Sequence, residues 1–305
     1  MVPIQLNKEE LRPFLEKSNA RALLTFLINW GIIAASFALV ALWLHPLSII
    51  IAWILIGGRQ LALGVTMHDC GHGALFKSPK LNQFFGKWLA AYPILADLDT
   101  YKKIHAKHHR IVGQPDDPDL PNYQAYPVTK SSLRRKFVRD LTGQTGVKIL
   151  AGTFKQGRDL FSLGKEEEKK TSLIKNLSGP LLAQVLLFAI LWLSGHPWLY
   201  LLWWLAYLTS YMFFARIRQV AEHAGVPQLT SNNPLENTRT TLASWWEKLT
   251  VAPNNVHYHL EHHLYPSVPP YRLPALHKYL KKQGHYQEVE IPKGYIQVMK
   301  QVSAV

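Results

Sequence analysis

Apolar positions in this chain are bunched rather than spread. Ala22–Leu44 carries no charged residue, and Leu47–Met67 is interrupted only by Arg59. Leu177–Ser194 and Trp198–Ala215 also lack Lys, Arg, Asp and Glu. A bilayer-spanning helix needs about 20 mostly apolar residues. The pattern therefore predicts four transmembrane helices, at about 22–44, 47–67, 177–194 and 198–215. They pair into two hairpins, because Leu44-His45-Pro46 and Ser194-Gly195-His196-Pro197 each place a helix-breaking proline between two runs. The polar stretches 68–176 and 216–305 are expected to form a helical cap. The fold class is thus all-α integral membrane, one domain over 1–305; buried helices of a large soluble enzyme are the alternative.

The polar stretches have structure of their own. FFGKWLAAYPIL, within 78–104, is too short to span and rich in aromatics, which suits an interfacial or re-entrant piece. GQPDDPDLP is dense in proline and aspartate and predicts a loop, as do residues 225–240. KEEEKK, at 165–170, is a solvated run, and Trp245 and Trp246 mark a second interfacial stretch.

Charge then sets orientation. Mean hydropathy is −0.04, an average that hides the apolar runs, and the formal net charge is +14. Apart from Arg59, the basic residues lie before, between or after the hairpins, never in the proline breaks. The positive-inside rule places both termini and the cap in the cytoplasm. The cap then lies against anionic headgroups of membrane lipids, and its charge suits an acidic electron carrier. No nucleic-acid motif accompanies the charge, so a nucleic-acid partner is not expected. The single cysteine, Cys70, excludes an intrachain disulfide. Residues 1–21 show no cleavage pattern, so the first apolar run is expected to be retained.

Most of the 14 histidines fall in three clusters: His68 and His72 in HDCGH, His105, His108 and His109 in HAKHH, and His259, His262 and His263 in HLEHH. Helical residues at i, i+3 and i+4 share a face, so each cluster can aim imidazoles at one point. HDCGH falls at the cytoplasmic exit of the second helix, and His223 at that of the fourth. Convergence of these segments gathers nine candidate ligands: His68, His72, His105, His108, His109, His223, His259, His262 and His263. Nine imidazoles exceed one ion's need and fit two. Gln219, on the His223 stripe, is a further candidate through water. Asp69, Asp99, Glu222 and Glu261 are placed to receive the second ring N–H of ligating histidines. His45, His196, His277 and His285 stand alone and are expected outside the metal set, as are His257, at a poor helical offset, and Cys70. Substitution of His277 is expected to be nearly silent.

Imidazole suits iron, copper, nickel and zinc alike, so ligand type does not choose the metal. Other chemistry is not signalled: the chain has no HExxH motif, P-loop, dinucleotide-binding glycine fingerprint or nucleophile elbow. No catalytic residue beyond the metal ligands is expected.

HDCGH, HAKHH and HLEHH, separated by apolar hairpins, resemble the three histidine boxes of the membrane fatty acid desaturase superfamily. NNVHYHLEHHLYP is similar to that family's third-box region, and the likeness covers about residues 50–280. The resemblance implies two iron ions, O2 as co-substrate, and removal of two hydrogens from a fatty acyl lipid. It also implies electrons from ferredoxin or a cytochrome b5-type donor, here a separate protein. His223 matches the isolated fourth-helix ligand of acyl-CoA desaturases, where an asparagine four residues earlier helps bind iron; this chain has Gln219 there. Three residues between His68 and His72 match many acyl-lipid members. The chemistry suits the assignment: an unactivated methylene has no acidic proton, so redox chemistry must come from a cofactor. Gly57, Gly64 and Val65 line the helix face above His68, where close packing is the favoured reading over room for an acyl tail.

Two other readings share these residues. A lipid or carotenoid hydroxylase or ketolase would use the same scaffold and insert oxygen. A metal transporter or sensor is the reading from another class, but transport favours ligands near the bilayer midplane, and these lie at helix ends.

Overall fold

The computed structural model describes residues 3–159 and 166–303, with side chains outside 153–176. The run at 165–170 therefore lies outside the described side chains. Among the described residues no strand occurs, only an isolated bridge between Leu242 and Lys293. The helices that matter for the site are α1 (Asn19–Leu42), α2 (Pro46–Gly71), α3 (Leu98–Arg110), α4 (Lys130–Leu141), α5 (Glu166–Leu193), α6 (Leu199–Leu208), α7 (Ser210–His223), α8 (His259–Leu264), α9 (Leu273–Lys282) and α10 (Tyr295–Gln301).

α1 and α2 are each long and apolar enough to cross a membrane. Pro46 opens α2 at the position where its missing N–H costs nothing, and the His45 ring accepts from Leu47 N at 3.2 Å. So the lone His45 is a cap. Ile33, Phe37 and Val40 of α1 pack with Ala52, Ile56 and Leu63 of α2, Leu187 and Leu191 of α5, and Leu202 and Trp203 of α6. The outer faces stay apolar and uncovered: Leu27 is 70% exposed, Val185 61% and Leu201 72%. Exposed apolar faces of this kind mark contact with a membrane or a partner.

The last apolar run differs from expectation. Residues 198–215 do not form one helix; α6 ends at Leu208 and α7 begins at Ser210, with Thr209 at φ −124°, ψ −83°. Thr209 Oγ1 accepts from Trp53 Nε1 at 2.7 Å and donates back to Leu205 O, while Ser210 Oγ donates to Trp53 O at 2.8 Å. Hydroxyls bonded back onto the preceding turn bend helices. The third run is also not a separate helix but the apolar end of the longer α5.

Gly57 is what admits this bend, since a Cβ there would lie 2.2 Å from Ser210 Oγ. At Gly64 a Cβ would meet Ile94 Cδ1 at an ordinary 3.6 Å, so close packing accounts for Gly57 and not for Gly64.

Residues 79–94 fold back against the membrane helices as a short helix, a wide turn over Gly86–Ala91 and a final tight turn. Trp30 Nε1 donates to Leu89 O at 3.0 Å, and Gln184 Nε2 to Pro93 O at 2.8 Å. The aromatic segment is thus tied to both α1 and α5.

Candidate metal centre

α2 is the spine of the site. From Ile56 to Gly71 it is buried except at Gly64, and one polar stripe on it guides the third histidine cluster into place. Arg59 Nη2 donates to Lys248 O and Leu249 O at 2.9 and 2.8 Å, and Nη1 to Asn29 Oδ1 at 3.0 Å. One to two turns further, Asn254 Nδ2 donates to Ala62 O at 3.1 Å and Thr66 Oγ1 at 3.0 Å. Asn254 and Asn255 adopt φ of 54° and 63°, a left-handed conformation that asparagine tolerates better than most residues. That reversal turns the chain into α8, so the stripe ends where His68 Nε2 meets His262 Nε2 at 2.9 Å.

The other segments arrive by ordinary helical means. Asp97 caps α3 by accepting from Thr100 N at 3.1 Å, and the i, i+3, i+4 offsets then put His105, His108 and His109 near one another. His223 is the last residue of α7.

The nine histidines meet in two adjoining groups. His68, His72, His105, His109 and His262 can each offer a ring nitrogen within 4.8 Å of the others, and so can His108, His223 and His263. His259 joins the second group, its Nε2 lying 3.0 Å from that of His223. The rings of His109 and His263, 4.2 Å apart, link the two groups.

Several Nε2 pairs are 2.9–3.1 Å apart: His68–His262, His105–His109 and His109–His262. For a metal–imidazole bond of about 2.1 Å, as in zinc sites, ligands at right angles lie about 3.0 Å apart. His72 Nε2 and His263 Nε2 are buried with no hydrogen-bond partner among the described residues. Unpartnered buried nitrogens at ligand spacing are what a cation-binding cluster needs, so the residues fit a pair of metal ions.

Protonation points the same way. Burial, reinforced by neighbouring imidazoles, holds His68, His105, His259, His262 and His263 well below the usual histidine range. Burial also lowers His72 to about 4 and His223 to about 3. Neutral rings have a free lone pair, so metal binding near pH 7 need not displace a proton.

The outer partners fix the rings. Asp69 Oδ1 receives His68 Nδ1 at 2.9 Å, and Asn237 O receives His223 Nδ1 at 2.9 Å. Glu222 Oε1 lies 3.4 Å from His259 Nδ1 without a hydrogen bond to it, and accepts from Arg218 Nε at 2.7 Å.

Asp117, which spacing did not single out, receives His108 Nδ1 at 2.9 Å. It also accepts from Gly113 N and Asp119 N at 2.9 Å, and from the Tyr123 hydroxyl. Burial pushes its carboxyl up, but the bonds from His108 and Tyr123 outweigh that and hold it at about 2. Asp117→Ala is expected to lower metal affinity by about 10- to 100-fold, the usual effect of losing such a partner. Metal content after graded chelation measures this, and unchanged retention would remove Asp117 from the site.

Other candidates lie elsewhere. Glu261 faces away from the nine rings and accepts from Thr240, from His277 Nδ1 at 2.6 Å and from Tyr286 at 2.7 Å. His277 is thus outside both groups but carries a buried bond to a carboxylate, so its loss is not expected to be silent. Asp99 pairs with Lys87 at 2.7 Å. Gln219 is half-buried and makes no hydrogen bond to the nine histidines among the described residues. Cys70 turns toward Gly86, where a Cβ would lie 2.6 Å from the cysteine Cβ. His257 belongs to neither group.

A profile of the fatty acid desaturase family matches residues 44–294, a span that holds every one of these histidines. The chain belongs to the fatty acid desaturase family. The chain is 27% identical over 301 residues to a dihydrorhizobitoxine desaturase of Bradyrhizobium elkanii, covering 95% of this chain and 83% of the relative. It is 26% identical over 269 residues to a beta-carotene ketolase of Paracoccus sp., covering 82% of this chain and 91% of that protein. A shorter match, 32% over 120 residues, is to the sn-1 acyl-lipid omega-3 desaturase (ferredoxin) of Synechocystis sp., with 39% of this chain and 32% of the relative covered. Family membership, two membrane-length helices and the bare apolar faces make the chain a membrane oxidoreductase.

Proposed function

We propose that the protein is an oxygen-dependent desaturase that introduces a double bond into a fatty acyl chain at two irons. The observation that supports this most strongly is the meeting of nine imidazoles, six of them buried, in two adjoining groups. His68, His72, His105, His109 and His262 would hold one ion, and His108, His223, His259 and His263 the other. When bound, the irons supply the power to use O2 against an unactivated C–H bond. The balance is one O2, two electrons and two protons consumed and two hydrogens taken from the chain, giving a double bond and two waters. The electrons would come from a separate ferredoxin or cytochrome b5-type carrier; a ferredoxin-named relative fits this.

The protein's part is to place and isolate. Asp69, Asp117 and the Asn237 carbonyl hold the rings of His68, His108 and His223, so these ligands are set before metal arrives. Residues 1–305 would form one membrane domain with four spans, both termini and the metal site on the cytoplasmic side. The uncovered apolar faces of α5 and α6 and the placement of basic residues support that topology.

Expression in a host of known lipid composition, with mass spectrometry of its lipids and iron analysis of the purified chain, tests the proposal. A loss of two hydrogens from an acyl chain, with about two irons per chain, is the expected result. A gain of oxygen would instead make it a hydroxylase or ketolase, and exchangeable metal with no oxygen uptake would point to transport.

A further inference from the structure

The nine ligand rings are not equally enclosed. His72, His109 and His263 are partly exposed, and the other six are buried. The three form one row across both groups, with ring centres 4.8 Å apart from His72 to His109 and 4.2 Å from His109 to His263. One edge of the centre therefore faces outward, and it includes members of both groups.

A cavity of about 540 Å³ reaches this edge. Its wall includes His68, His72 and His105, together with Lys17 and Lys102. Lys102 is exposed and Lys17 half-buried, so both stand at the mouth. The acids that neighbour them in the chain are engaged elsewhere: Glu16 pairs with Arg272 at 3.0 Å and Asp99 with Lys87 at 2.7 Å. Among the described residues no carboxylate lines the cavity, and no Leu, Ile, Val, Phe or Trp does.

Such a wall suits neither a bound ion nor an acyl tail. Positive charge works against a cation site; burial first, and then the Lys102 charge, lower His72. Without large apolar side chains the wall gains little from covering a hydrocarbon chain. Two unpaired lysines at the mouth of a direct way to the histidines instead match an acidic protein surface. The larger basic face of α4, with Lys130, Arg134, Arg135 and Arg139 exposed, lacks that way in. Its inner side packs through Leu133 with Tyr126 and Tyr123, and it is Tyr123 that meets His223, with ring centres 5.0 Å apart.

We propose that the cavity mouth holding Lys17 and Lys102 is the docking surface for an acidic electron-carrier protein. The proposal rests on the desaturase reading and deepens it by placing the separate donor. Carboxylates of the carrier pair with the two lysines, and its redox centre then faces the His72 edge. Each docking oxidises the carrier by one electron, so two dockings supply the two electrons of the reaction.

Binding tests this without turnover. The iron-loaded full chain in neutral detergent is titrated with oxidised plant-type ferredoxin and with oxidised cytochrome b5. Lys17→Glu combined with Lys102→Glu should weaken the tighter of the two by at least about tenfold, because like charges then face each other. Lys17→Gln combined with Lys102→Gln should fall between. Arg134→Glu combined with Arg135→Glu changes the net charge as much as the first pair. At 0.15 M salt, where the Debye length is about 8 Å, it should leave affinity within about twofold. Bound iron should match the wild type in every variant. The rate at which the reduced carrier is oxidised without oxygen, read from its own absorbance, should fall in the same order.

Equal weakening by the lysine and arginine pairs would reduce the effect to overall charge and overturn the proposal. Greater weakening by the arginine pair would move docking to α4, and binding of neither carrier by the wild type would also refute it. Iron bound together with carrier affinity indifferent to the lysines defeats the docking surface alone. A wild type that holds no iron defeats the desaturase reading, and the docking surface with it.

Discussion

His262→Ala is expected to abolish desaturation, with a loss of more than about a hundredfold, the upper end for losing even a supporting partner of a ligand. The physical reason is connectivity. His262 Nε2 lies 2.9 Å from His68 Nε2 and 3.1 Å from His109 Nε2, so it alone carries the third cluster into the five-histidine group. Alanine removes a donor that no neighbour replaces. Bound iron should fall, while α1 and α2 still insert, since their apolar faces are untouched. Metal analysis, product mass and membrane fractionation read the three effects separately. His108→Ala, which breaks the bond to Asp117, should behave alike. Full activity in either variant would discredit the ligand set.

Arg59→Leu should have the largest effect on stability. Arginine inside a membrane span is costly unless its donors are met, and here three are met by Asn29 Oδ1, Lys248 O and Leu249 O. Leucine leaves buried acceptors unsatisfied, each at about 1–3 kcal/mol. It also frees the segment before Asn254 from α2, so the cost should reach the metal site. We expect a thermal midpoint lower by roughly 10 °C or more, given about 2–4 °C per kcal/mol for a chain of this order, together with weaker iron retention. Arg59→Lys, which keeps the charge but not the fork, should fall between. A variant that melts with the wild type would show that the stripe contributes nothing.

These two sites differ in how well the sequence foretells them. His262 sits in a cluster whose offsets alone place it on one face with its neighbours, so it could be named without coordinates. Arg59 stood out as the one charge in an apolar run, but two of its partners are backbone carbonyls nearly two hundred positions away. Carbonyls leave no mark in a sequence. Asp117 failed for a different reason: Asp116, Asp117 and Asp119 share one proline-rich loop, and only the path of that loop decides which carboxylate meets His108.

The apolar runs predicted helices because burial and lipid contact both demand them. They did not foretell the break at Thr209, which arises from two hydroxyls and an indole on another helix. Glu261 was drawn toward the wrong group by adjacency. It neighbours His262 in the chain, yet its side chain leaves α8 on the side facing α9 and His277.

The seclusion of Cys70 has a practical corollary. The chain has no other cysteine, and burial pushes this thiol well above its ordinary range, which suppresses the reactive thiolate. The natural protein is therefore already a quiet background for maleimide labelling. A cysteine placed in the turn before Pro46, or beside Lys130, would be the dominant site to react. Impermeant reagents added to intact cells and to inverted vesicles would then report which side each position faces, with no need to strip out a native residue first.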